Sequence, residues 1–82
     1  MENPTEHGFT LGGKKVSLNK RTVESSMKGI VPAAIKKYWV QIGHQHYPIK
    51  QVVSVATGIP SVAFISTDAY RVLTRLGFDV KM

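Results

Sequence analysis

The stretch Gly8-Phe9-Thr10-Leu11-Gly12-Gly13-Lys14-Lys15 carries the G-x-x-x-x-G-K spacing of a phosphate-binding loop. That chemistry needs a Ser or Thr after the lysine to hold magnesium, and a strand leading in. Here Lys15 takes the hydroxyl position and the seven residues before Gly8 form no strand. Nucleotide hydrolysis is therefore not expected, although a glycine–lysine loop can still touch a phosphate. His44-Gln45-His46 would put two imidazoles on one face of an extended segment, the beginning of a metal site. No third ligand stands beside them, and two solvated histidines at a hairpin tip explain the pair more simply. The chain has no cysteine, hence no thiol nucleophile, no disulfide and no Cys-based zinc site. It has no Gly-x-Ser-x-Gly elbow and no paired carboxylates. These residues predict no enzyme, no cofactor and no metal.

The basic residues are the remaining candidates. Eleven Lys and Arg against five Asp and Glu give a net charge of +6, unevenly spread. Residues 1–13 carry −2, residues 51–82 carry +1, and residues 14–50 carry +7. The central segment holds Lys14, Lys15, Lys20, Arg21, Lys28, Lys36, Lys37 and Lys50 against Glu24 alone. Such clustering is the electrostatic footprint of a partner for phosphate polyanions. Net charge of this size also serves solubility alone, and that reading stands beside the first. Trp39 and Tyr47 lie near these cations, where exposed rings can stack on bases, but a small domain needs its aromatics for the core.

The elements that must position these residues follow from length and periodicity. Eighty-two residues make one small α+β domain with a marginal core. Residues 1–8 read as a disordered lead-in to a single domain over 9–82. Phe9 to Leu18 alternates around Gly12-Gly13, as a short hairpin or extended arm. Val23, Met27, Ile30, Val31, Ala34, Ile35 and Tyr38 recur at helical steps, and Pro32 divides the run. Two short helices are expected, over about 20–29 and about 32–38. Trp39–Ile42 and Gln45–Tyr47 form a hairpin around Gly43-His44, and Pro48 opens a helix that Gly58 caps. Ser66 or Thr67 is expected to cap the last helix, with Asp68 in its first turn, and Gly77 ends it with Phe78 folded back on it. Phe78-Asp79-Val80 is expected to add a third strand. No apolar run is long enough to span a membrane, and Met1-Glu2-Asn3-Pro4 is acidic where a signal peptide is basic, so a cytoplasmic protein is expected.

The last two helices resemble a helix-turn-helix in which Gln51, Arg71 and Arg75 are residue types that read bases or phosphates. Their connection of about nine residues exceeds the usual three or four. Tyr47-Pro48-Ile49-Lys50 opening a helix, Phe64-Ile65-Ser66 before the next, and Leu76-Gly77-Phe78-Asp79-Val80 at the close carry a further likeness. In that order, over residues 35–80, they resemble the N-terminal head domain of McrA-type, modification-dependent HNH restriction endonucleases. The chain departs from that family in having no nuclease domain and no Gly-Gly step after Ser66. The resemblance implies a DNA-targeting role, polar contacts from Lys50 and Ser66, and framework roles for Tyr47, Phe64, Leu76 and Phe78.

Together these readings point to a non-catalytic nucleic-acid-binding module, duplex DNA favoured. Its contacts are expected among Lys14, Lys15, Lys36, Lys37, His44, His46, Lys50, Gln51, Ser66, Arg71 and Arg75. The alternative is a protein-interaction module, an adaptor or phage-encoded inhibitor, whose basic face binds an acidic partner.

Overall fold

Residues 7–82 are described by the structure, a computed structural model. The lead-in expected over 1–8 lies outside the described residues as far as residue 6. Its last two residues belong instead to the first strand, β1 (His7–Leu11), which pairs antiparallel with β2 (Lys14–Leu18). Gly12 and Gly13 join them with φ of 55° and 80°, the left-handed pair that a tight two-residue turn requires. The turn buries Leu11 and Leu18 on the inner face and half-buries Phe9 and Val16.

Asn19 then caps α1 (Lys20–Ser26), its Oδ1 accepting the Thr22 N–H at 2.7 Å. Val23 and Met27 drive into the core. The helix expected over 32–38 is absent: residues 30–38 run as an irregular segment. Side chains distant in sequence hold its start in a different path. Ile30 C=O accepts the Tyr47 hydroxyl at 2.9 Å, Val31 C=O accepts the Gln51 amide at 2.9 Å, and Ala33 N–H donates to Gln51 Oε1 at 2.8 Å. A seven-residue helix is also too short to form without burying a face. Val31 and Ile35 bury none, at 81% and 41% exposed.

β3 (Trp39–Ile42) and β4 (Gln45–Pro48) form the second hairpin, with Gly43 at φ 64° in its turn. The expected third strand is reduced to one bridge. Trp39 and Lys81 exchange two backbone hydrogen bonds of 2.8 Å, just beyond the 78–80 segment. α2 (Ile49–Thr57) buries Ile49, Val52 and Val53, and ends on Gly58 in the left-handed region. A single 3-10 turn over Ser61–Ala63, which the sequence pattern does not announce, leads to α3 (Ser66–Arg75). Neither Ser66 nor Thr67 caps α3: both lie inside its first turn, Ile65 holds the cap position, and the Asp68 carboxylate accepts the Ile65 N–H at 3.3 Å. Its C-terminus closes as expected: Phe78 N–H reaches Leu73 C=O at 3.0 Å and Gly77 N–H reaches Thr74 C=O at 3.1 Å. Buried Phe78 completes that ending.

The result is a small α+β domain of two antiparallel hairpins and three α-helices, with one hydrophobic cluster joining all of them. α2 packs against α1, α3 and both hairpins, so its apolar face is the centre of the core. Tyr47, Phe64, Leu76 and Phe78, expected as framework, are all buried. Among the described residues no helix is long and apolar enough to cross a membrane.

Candidate nucleic-acid interface

The residues between α1 and β3 become one wall of a surface groove of about 780 Å³. Lys36, Lys37 and Tyr38 line it from this segment, Lys50 and Gln51 from the first turn of α2, and Ser66 and Thr67 from the first turn of α3. Five residues singled out from the sequence, Lys36, Lys37, Lys50, Gln51 and Ser66, thus meet around one concavity. Among the described residues no carboxylate side chain lines it.

Two of the lysines are held by rings. Lys50 Nζ sits 5.6 Å from the centre of the Phe64 ring, and Lys37 Nζ sits 5.2 Å from that of Tyr38. At these distances each ammonium is attracted by the ring face it lies over. Hydroxyls of Ser54, Ser61, Ser66 and Thr67 add donors that can meet an anionic oxygen. The first turns of both α2 and α3 border the same space, with the Ile49 N–H donating to Tyr38 C=O at 3.4 Å and the Asp68 N–H to Ile65 C=O at 3.0 Å. Gln51 also faces the groove, but both ends of its amide are bonded to the 31–33 backbone. Its observed work is bracing the wall that carries Lys36 and Lys37.

The other candidates lie elsewhere. Ser66 and Arg75 are about 180° apart around α3 at about 100° per residue, so Arg75 points to the flank opposite the groove. There its guanidinium lies 5.7 Å from the Phe9 ring of β1. Arg71 is exposed on the outer face of α3 and does not line the groove. Lys50, Arg71 and Arg75 therefore do not form one patch. Lys14 and Lys15 begin β2, on a hairpin whose Gly12 abuts Ala63. The glycine–lysine stretch is a hairpin turn that leads into no helix, so it lacks the architecture of a phosphate loop. His44 is exposed in the second hairpin turn, and His46 stacks on Trp39 at 4.3 Å between ring centres. Among the described residues no three His, Cys, Asp or Glu side chains gather as a metal site. The connection between α2 and α3 holds the 3-10 turn, so the two helices are not a compact helix-turn-helix.

The pattern of single residues missed Tyr70. It is 43% exposed on α3 and meets Tyr38 with ring centres 5.5 Å apart and planes at 71°. Its position beside the apolar stripe Ala69, Val72 and Leu73 was legible, but its pairing with Tyr38 joins residues that only tertiary packing brings together.

Fold and groove together define a small α+β domain with a basic, hydroxyl-lined surface groove. Residues 14–82 match the SCO5918-like family, and the chain belongs to that family. No curated protein and no solved structure matches it.

Proposed function

We propose that this domain is a non-catalytic nucleic-acid-binding module that holds the phosphate backbone in the Lys36–Lys37–Lys50 groove. The observation that carries the proposal is the meeting of three lysines and several hydroxyls around one concavity without a carboxylate. Lysines supply the sequence-independent part of nucleic-acid affinity by displacing counterions from phosphates. The likeness to McrA-type head domains supports the same assignment, because Lys50 and Ser66, the two contacts it implies, both border the groove. The proposal places the protein in the cytoplasm, with its ligand.

A titration against nucleic acid at about 50 and 200 mM salt tests it, since each neutralised phosphate contributes roughly 0.7–0.9 to the log–log slope. Replacing Lys36, Lys37 and Lys50 together by Gln should flatten that slope by about 2–3 and leave the melting temperature nearly unchanged. No binding at the lower salt would sink the proposal. One observation favours the rival, a protein-interaction module: Val62 and Ile65, between α2 and α3, are 92% and 63% exposed. Under that reading Val62→Ser and Ile65→Ser weaken partner capture, and nucleic acid does not bind at either salt concentration.

A further inference from the structure

We infer that the groove takes an unpaired strand, with a phosphodiester at the lysines and a base against Tyr70, and does not admit a duplex. This rests on the nucleic-acid reading and narrows it. A second hollow of about 440 Å³ adjoins the groove and shares Tyr38, Ser66 and Thr67 with it as common walls. The remaining walls are Tyr70, Val80 and Met82, so this hollow has no charged side chain. A basic compartment thus adjoins one lined by two tyrosine rings, the Ser66 and Thr67 hydroxyls, Val80 and Met82. A nucleotide has the same division, an anionic phosphodiester beside a base with two π faces.

The aromatic compartment is built to hold a planar group. Tyr70 keeps 43% of its surface exposed, and Tyr38 braces it at a steep interplanar angle of 71°. A braced ring loses little rotamer freedom when a base stacks on it. Such a platform beside a positively charged groove is the arrangement that binds single strands with little sequence preference.

A duplex does not fit this geometry. Its bases are stacked inside, so none can reach Tyr70 without being unpaired. Proteins that read base edges in the major groove insert a convex element into a channel about 12 Å wide. Here the lysines line a concavity, and the flank of α3 that faces it carries Ser66 and Tyr70. The α3 arginines lie on its outer face and opposite flank, so duplex recognition would have to use a different surface.

The test uses fluorescence anisotropy at low salt with a labelled mixed-sequence strand, the same strand annealed to its complement, and polyglutamate. The single strand should bind at least about tenfold more tightly than the duplex. Tyr70→Ala should weaken single-strand binding by about 5- to 150-fold, the range for losing one stacked base. Tyr70→Phe should restore it, and neither change should move duplex binding, while Tyr70→Ala also lowers the melting temperature by giving up the Tyr38 ring contact that Tyr70→Phe keeps. The unsubstituted protein gives an independent readout, an upfield shift of the Tyr70 ring protons when the single strand is added. Duplex binding equal to or tighter than single-strand binding, with Tyr70→Ala neutral and the ring protons unmoved, overturns the inference and leaves nucleic-acid binding standing. Failure of both nucleic acids to bind overturns the broader proposal as well, and binding of polyglutamate alone assigns the groove to an acidic protein.

Discussion

Replacing Gln51 by Ala separates a residue that touches a ligand from one that shapes the site. In the structure its amide accepts from Ala33 N–H at 2.8 Å and donates to Val31 C=O at 2.9 Å. Each such bond contributes about 0.5–1.5 kcal/mol net. Both backbone partners lie in an exposed stretch where water can replace the amide, so the lower half of the summed range applies, about 1–2 kcal/mol. That free energy should appear as local opening of the wall, read as a roughly 5- to 30-fold loss of Ala33 amide protection in hydrogen exchange. Lys36 and Lys37 follow Ala33 by three and four positions, so a ligand must reorder their segment before using them. The dissociation constant should rise by a similar factor. The salt slope should stay unchanged, because no charge is lost. Two results would refute this reasoning. One is unaltered exchange at Ala33. The other is an affinity loss confined to one base of the ligand, the signature of glutamine reading an adenine edge.

Three further outcomes are expected. Leu73→Ala, at a fully buried site, should cost about 2–5 kcal/mol and lower the melting temperature by at least about 10 °C in a domain of this size; an unchanged melting curve would mean the inner face of α3 is wrong. Gly12→Ala should destabilise more than Gly13→Ala by about 1–3 kcal/mol in chemical denaturation, because both have positive φ but only a Gly12 methyl would meet Ala63, at 3.0 Å; equal costs would remove the contact between the hairpin and the 3-10 turn. Arg71→Ala and Arg75→Ala should leave single-strand affinity within about twofold, while Lys50→Gln reduces it and flattens the salt slope by about 0.7; the reverse order in a binding titration would move the site to the outer face of α3.

Local chemistry settles much of this protein before any packing is known. Gly12-Gly13 and Gly43-His44 dictate hairpin turns because the chain there needs glycine at positive φ. Pro48, Gly58 and Gly77 bound the last two helices through effects confined to a few neighbouring residues, and the apolar stripes of α2 and α3 name their buried faces. The charge excess over residues 14–50 is likewise visible without a fold. Segment 30–38 is where local reasoning fails. Its periodicity reads as a helix, but Tyr47 and Gln51, about 20 positions away, bond its Ile30 and Val31 carbonyls and hold the chain in another path. A hydrogen bond between residues so far apart leaves no local trace in the pattern. The groove depends on that outcome, since Lys36 and Lys37 line one concavity with Lys50 and Ser66 while their segment stays non-helical. The sequence alone therefore determined which residues carry the charge. Tertiary packing decided which of them share a site, because that depends on side chains competing for backbone partners across the whole chain.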